Sequence, residues 1–263
     1  MEMIVEGRIL DLIMLIIMIM AVYYYIKRAV AGMSLPEIRS IPAVDAIEEG
    51  VRRAIEMGRP VHFASGFSGG RLSGYYAAMS LASIECLRYV AGLCAEHDAS
   101  LIVSCPGIPE YLPLLEATVA DAYKEAGKPE KFSRDMIRFY GRHFTAYCQG
   151  VTGVLRREKV ATNICIGAWH TDCVPILEGA KIGGAMNIGG TARWIMMYAF
   201  AMMADYTLIA EEIYAAGAKV SKDPIMLSGV AAEEVGKYIC FILLIIGLIL
   251  ITLRLPFGKF LEM

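Results

Sequence analysis

The sequence has almost no net charge. Its 25 basic residues nearly balance 27 acidic ones, which leaves −2 at neutral pH. A protein that binds nucleic acid needs a basic surface to neutralise phosphates. The charge balance therefore argues against nucleic acid as a partner.

A paired cysteine framework is also lacking. The seven cysteines are odd in number and scattered, mostly in apolar runs, where a free thiol behaves as a small hydrophobic group. We therefore expect reduced thiols in a cytosolic domain. Cys165, His170 and Cys173 follow a C-x4-H-x2-C spacing, but a structural zinc site needs four ligands and no fourth is obvious. We predict no metal site.

Two long runs lack charged residues altogether. The chain is 57% hydrophobic with a mean hydropathy of +0.51, which is too high for an ordinary soluble protein. Residues 12–26 and 238–253 contain no Asp, Glu, Lys or Arg, and each run reaches the roughly 20 residues of a bilayer span once its flanks are counted. A signal peptide would need a basic leading segment, whereas this one is acidic. We predict transmembrane helices at residues 8–28 and 237–254 around an α/β domain at residues 34–236.

Basic residues beside the two runs predict the topology. Lys27 and Arg28 follow the first run, and Lys237 precedes the second. The positive-inside rule then places the central domain in the cytoplasm of a two-pass cell-membrane protein, although Arg254 and Lys259 favour the opposite orientation. The uncharged runs at residues 12–26 and 238–253 offer no group that could relay protons or ions. We interpret them as anchors in the lipid membrane, and we expect a homo-oligomer or a subunit of a membrane complex.

Between the two runs, short apolar segments alternate with helical patterns. We predict strands at residues 61–64, 100–104, 136–140, 162–166 and 206–210, and a buried apolar helix at residues 191–203. This alternation predicts a Rossmann-like α/β fold, a parallel sheet with helices on both faces. Ligands bind at the carboxyl ends of such strands. The rule selects loops at residues 65–71, 105–108, 167–172 and 187–191 and the segment that begins at Glu211.

The first of these loops contains a G-x-S-x-G sequence centred on Ser68, the pattern of a hydrolase nucleophile. Too little chain precedes it for a hydrolase sheet, and an upstream oxyanion loop is lacking, so we predict that Ser68 is not a nucleophile. The glycines also miss the G-x-G-x-x-G and P-loop patterns, because position 68 is Ser and position 71 is Arg. Backbone N–H groups before a helix still suit an anion, and Arg71 adds donors. The alternative is a plain tight turn.

His170 and Asp172 lie at a predicted strand end, where they could serve acid–base chemistry or form a structural hydrogen bond. No complete catalytic set is present, and no cofactor is indicated. The candidate ligand-binding residues are Gly66, Ser68, Gly69, Gly70, Arg71, His170, Asp172, Asn187 and Thr191.

Four segments resemble a family of archaeal and bacterial membrane proteins that is catalogued as a domain of unknown function: VHFASGFSGG, IVSCPGIPEYLPLLEATVADAYKEAGKPE, GAMNIGGTA and ADYTLIAEEIYAAGAKVSKDPIMLSG. The resemblance covers residues 35–228 and is most specific at residues 205–218. It implies a membrane-anchored α/β domain and supplies no catalytic residues. We expect a scaffold, a sensor or an accessory subunit that binds a small anionic ligand. The alternative is a membrane-bound enzyme for a small phosphorylated or acidic metabolite that uses Arg71, His170 and Asp172.

Overall fold

A computed structural model describes residues 9–36, 38–67 and 72–253, with side chains from residue 11 onward. The chain divides into two compact units. One consists of residues 1–37 with residues 222–263, and the other is the α/β unit Ile38–Ser221. The helices are α1 Ile9–Val30, α2 Pro42–Met57, α3 Ala77–Glu96, α4 Leu112–Glu125, α5 Phe144–Arg157, α6 Cys173–Ile182, α7 Trp194–Met203, α8 Glu212–Ser221 and α9 Pro224–Thr252. The strands are β1 Val61–Ala64, β2 Leu101–Cys105, β3 Ile137–Phe139, β4 Thr162–Ile166, β5 Met186–Thr191 and β6 Tyr206–Ile209.

The six strands form one sheet in the order β3-β2-β1-β4-β5-β6, and every neighbouring pair is parallel. This confirms the predicted α/β fold with a parallel sheet. The order is that of Rossmann folds, in which the strand sequence reverses between β1 and β4. That reversal places the loops after β1 and β4 side by side at the carboxyl edge of the sheet.

Helices cover both faces of the sheet and form two hydrophobic cores. The first core contains residues of α2, α3, α4 and α8, such as Ile47, Leu87 and Val119. The second contains residues of α5, α6 and α7, such as Val151 and Phe200. Successive strand residues supply opposite cores because side chains alternate along a strand. The strands are therefore buried on both sides, as expected for a parallel sheet covered by helices.

The prediction of a loop at residues 187–191 was wrong, because these residues belong to β5. Asn187 and the pair Gly189-Gly190 are unfavourable in an isolated strand. Here the glycines allow close approach of neighbouring strands. A Cβ on Gly189 would overlap the Cys165 carbonyl oxygen, and a Cβ on Gly190 would overlap that of Leu208.

Within the described residues, three helices are long and apolar enough to cross a membrane: Asp11–Val30 within α1, Ala77–Glu96 and Pro224–Thr252. Two of them lie near the termini, where the sequence predicts spans. The third is α3, which packs on α4 and α8 in the first core of the sheet. The apolar character of α3 is therefore explained by the α/β core.

The last helix begins before the predicted span. Asp223 accepts a hydrogen bond from the Ile225 backbone N–H, and Pro224 occupies the first turn, two features that favour a helix start. The predicted boundary between residues 236 and 237 thus lies inside a continuous helix of 29 residues.

Candidate functional site

The loops after β1 and β4 touch through their backbones. Gly66 has φ +82°, and a Cβ there would lie 2.6 Å from the Ala168 carbonyl oxygen. Gly167 has φ +147°, and a Cβ there would overlap the Ser65 carbonyl oxygen. Both positions therefore need glycine, for the positive φ and for the space. The gap between β1 and β4 is closed by backbone.

Asp172 joins the same two loops. Its carboxylate oxygens accept hydrogen bonds from the backbone N–H of Phe67, at 2.7 Å, and of His170, at 2.6 Å. The side chain is fully buried. Burial raises the pKa of Asp172, and the two backbone donors oppose that rise. Both oxygens hold backbone groups, so the carboxylate fixes the shape of the loops.

The structure brings together Gly66, His170 and Asp172 of the predicted site. His170 is exposed, and its Nδ1 accepts the Thr171 backbone N–H at 2.8 Å. Thr191 ends β5 at the same edge, where its Oγ1 accepts the Arg193 backbone N–H at 3.2 Å. Four other predicted residues lie outside the described residues: Ser68, Gly69, Gly70 and Arg71.

A crevice with a volume of about 1080 Å³ opens beside these loops. It lies between the loop after β1 and the loop after β2, on the side of the sheet that holds β3. This volume is at the upper end of the range for small-molecule sites. Its lining residues are Phe67, Leu72, Ser73, Gly74, Tyr75, Tyr76, Gly107, Ile108, Pro109, Glu110, Tyr111 and Arg142.

Aromatic rings and charged ends share this crevice. Phe67 is fixed by edge contacts with Phe144, at 5.6 Å between ring centroids, whereas Tyr75 is 97% exposed. Arg142 approaches Glu110 at 3.9 Å, and both side chains are 72% exposed. The crevice therefore offers flat apolar walls with a guanidinium and a carboxylate at its rim.

A second guanidinium, that of Arg193, lies behind the Tyr76 ring that lines the crevice. Arg193 lies 4.7 Å from the centroid of the Tyr76 ring and donates to the Trp169 carbonyl oxygen at 3.0 Å. A cation over an aromatic face is attracted by the ring and fixes its position. Sequence reasoning missed Arg193. The local signal that could have identified it is its position two residues after Thr191, just past a glycine-rich strand.

A comparison with known protein families identifies the family to which this chain belongs. The sequence profile of a domain of unknown function, DUF6754, matches residues 1–261. The chain belongs to the DUF6754 family. No curated protein and no solved structure matches it. DUF6754 extends beyond the residues that carried the resemblance and includes both terminal apolar helices.

The DUF6754 sheet also contains a buried chain of hydrogen bonds that crosses adjacent strands. His62 of β1 bonds through Nδ1 to Asn163 Oδ1 of β4 and through Nε2 to Ser104 Oγ of β2, each at 2.7 Å. Asn163 donates from Nδ2 to Asn187 Oδ1 of β5 at 2.8 Å. Asn187 donates in turn to the Leu177 carbonyl oxygen at 3.0 Å. Asn187 therefore serves the sheet interior and lies away from the carboxyl edge.

The partners of Asn163 fix the direction of this chain. Its amide nitrogen donates to Asn187, so its Oδ1 must accept from His62 Nδ1–H. His62 Nε2 then carries no hydrogen and accepts from the Ser104 hydroxyl. Burial is the main cause that lowers the pKa of His62 to about 4. His62 is thus a neutral, fully satisfied imidazole near neutral pH.

Ser104, His62 and Asn163 share the order of a nucleophile, a base and an orienting group. Ser104 and His62 are nevertheless fully buried, so a substrate has no access to the hydroxyl. Tyr140 lies at the end of this series of hydrogen bonds. Its hydroxyl is 3.4 Å from Ser104 Oγ, and its side chain is partly exposed. In this DUF6754 domain the arrangement orders the sheet.

The two cysteines of the C-x4-H-x2-C spacing have structural contacts in the sheet and the core. Cys165 donates to Asn163 Oδ1, and Cys173 packs in the second core. Burial raises the pKa of Cys173 to about 12. Across residues 9–36, 38–67 and 72–253, no three His, Cys, Asp or Glu side chains form a group that could hold a metal ion.

Proposed function

We propose that this protein is a membrane-anchored sensor or scaffold whose cytosolic α/β domain binds a small anionic ligand. The observation that carries the proposal is the crevice at the carboxyl edge of β1 and β2. This edge is where ligands bind in open parallel sheets. Backbone contact closes the gap between β1 and β4, and the crevice opens beside it among the residues that the structure describes.

The crevice residues favour a ligand with a flat apolar part and an anionic group. Phe67, Tyr76 and Ile108 supply apolar surface, and Arg142 supplies donors for phosphate or carboxylate. Glu110 suits a hydroxyl or amino group on the same ligand. Helices α3 and α4 both begin close to the crevice lining, and helix N-termini stabilise negative charge.

Membrane anchoring is supported by α1 and α9. Both expose many large apolar side chains, including Ile19, Met20, Leu244 and Leu248. Exposed apolar surface of this extent is unfavourable in water and suits lipid. Two such helices give the domain a fixed place at the membrane, as a sensor or scaffold requires.

Thermal shift of the full chain in detergent tests the ligand. We expect one member of a panel of nucleotides and phosphorylated or acidic metabolites to stabilise the protein, by about 2.7 kcal/mol at 100 times its dissociation constant. Arg142→Ala should weaken that ligand by about 1 kcal/mol, because the side chain is largely exposed and its charge is screened. Arg134→Ala is the matched control, since Arg134 is also exposed and pairs with Glu116.

Two results would change the proposal. If no panel member stabilises the protein, or if Arg142→Ala and Arg134→Ala respond alike, the crevice is not the anionic site. If the stabilising ligand is converted during the assay, the protein is an enzyme.

The cytoplasmic location of the domain needs an engineered thiol. All six cysteines of the α/β unit are buried, whereas Cys240 of α9 is exposed. In a Cys240→Ala background, Asp121→Cys on the exposed side of α4 should resist an impermeant thiol reagent in intact cells and react after lysis. Labelling of intact cells would show the inverted topology.

Mass measurement in mild detergent tests the proposed homo-oligomer, and a monomer at every concentration would contradict it.

A further inference from the structure

Helix α7 is apolar on the side that faces away from the sheet. Its sequence, WIMMYAFAMM, contains no charged residue. Met196, Ala199 and Phe200 are buried in the second core. The outward residues remain exposed, Trp194 by 79%, Met202 by 69%, Tyr198 by 55% and Ile195 by 43%. We call these four residues the outer face of α7.

The neighbouring helix also exposes apolar side chains. Helix α6 packs beside α7 and exposes Val174 and Ile182, the latter by 66%. A helix that is apolar all round is normally covered on every side. Contiguous exposed apolar surface marks a place where another apolar phase or molecule binds.

The residue types favour a lipid interface as that partner. Tryptophan and tyrosine concentrate at the boundary between headgroups and acyl chains, where an apolar ring and a polar atom are both accommodated. Trp194 and Tyr198 are one helical turn apart. Ile195 and Met202 supply the aliphatic contact that interfacial helices insert.

The chain connection also favours lipid. Lys222 and Asp223 alone separate α8 from α9. The apolar part of α9 begins at Tyr238, after roughly 21 Å of helix at 1.5 Å per residue. Once α9 is in a bilayer, the α/β domain is therefore covalently held near its surface. Such tethering gives a high effective concentration, so a weak contact is sufficient.

We propose that the outer face of α7 binds the membrane at the headgroup–acyl boundary and so orients the α/β domain on the bilayer. This inference rests on the proposed anchoring through α1 and α9. The proposed lipid contact on α7 is separate from the ligand crevice.

The two tryptophans of the chain provide the test. Trp169 is fully buried, Trp194 is 79% exposed, and neither α1 nor α9 contains tryptophan. The full chain is placed in nanodiscs of phosphatidylcholine with ordinary or brominated acyl chains, and tryptophan emission is compared. We expect brominated lipid to quench the wild-type protein. Trp194→Phe leaves only Trp169 and should abolish most of the quenching.

A second variant keeps the reporter and changes the surface. Met202→Asp retains Trp194 but places a charge on the outer face, so it should reduce quenching if the face lies on lipid. Equal quenching of wild type and Trp194→Phe in assembled discs would overturn the inference and leave the anchoring intact. A chain that does not enter discs would overturn both.

Self-association is the competing occupant of this face. If Trp194 is unquenched and Met202→Asp converts a larger species to a monomer in detergent, the partner is a second copy and the lipid proposal is wrong. If Met202→Asp leaves the mass unchanged and lowers quenching, the lipid proposal is supported.

Discussion

His62 allows a quantitative test of the buried hydrogen-bond chain through acid titration. Its pKa falls from 6.5 to about 4 in the folded protein, mainly because burial disfavours the charged imidazole. Below pH 6.5 the unfolded chain therefore takes up a proton that the folded chain refuses. The stabilising contribution is complete above pH 6.5 and is lost as the pH falls toward 4. At about 1.4 kcal/mol per pKa unit, the loss is about 3 kcal/mol.

The matched perturbation is His62→Leu, which removes the titrating ring. At pH 7 this variant should be less stable by about 2 to 4 kcal/mol, because Ser104 and Asn163 each lose a short buried hydrogen bond. Each retains a longer contact, to Tyr140 and Cys165 respectively, at 3.4 Å. The difference in the free energy of unfolding between the wild-type protein and His62→Leu should then decrease by about 3 kcal/mol between pH 7 and pH 4.

Urea unfolding of the full chain in detergent, followed by the emission of buried Trp169, measures this difference. The Trp194→Phe background removes the second emitter. Other carboxylates titrate over the same range, but they are common to both proteins and cancel in the difference. A stability difference that stays constant from pH 7 to pH 4 would refute a neutral, buried His62.

Substitutions at Gly167 and Asp172 test the contact between the loops after β1 and β4. Gly167→Ala should destabilise the protein by at least about 2 kcal/mol in thermal unfolding, because φ is +147° and the Cβ has no space. The control is Gly153→Ala on an open side of α5, which should stabilise the protein by about 0.5 to 1 kcal/mol. Similar effects at both sites would refute the tight contact. Asp172→Ala should cost about 2 to 6 kcal/mol because the N–H groups of Phe67 and His170 lose their acceptor. Asp172→Asn should recover part of that loss, and a neutral Asp172→Ala would show that the loops hold without it.

The sequence predicts the apolar elements of this fold well, because their burial leaves a local signal. β1 and β4 have the predicted bounds. Each combines a compact apolar pattern with clear flanking residues. The edge position of β3 also follows from its short, mixed composition.

β5 and the hydrogen-bond chain depend on partners distant in sequence. The glycines of β5 indicate a turn when only local residues are considered, and the contacts that require them lie on β4 and β6. His62 is a single polar residue in an apolar strand, and its partners are 42 and 101 positions away. The local signal was a polar residue inside each apolar run: His62 in VHFA, Ser104 in LIVSC and Asn163 in TNICI. Asp172 was found from its strand-end position, but its backbone partners required the loop geometry.

The strand order has a consequence for synthesis of the chain. β1 pairs with β2 about 40 residues later and with β4 about 100 residues later. Until β4 has been made, β1 has an edge of unpaired backbone groups, and His62 lacks its partner Asn163. Pairing across such a separation is slow because a long loop must close first. During that interval the nascent domain exposes an edge that can pair with other chains. Keeping the first half of the sheet apart from its copies, for example by a chaperone, would therefore matter most before residue 162 emerges.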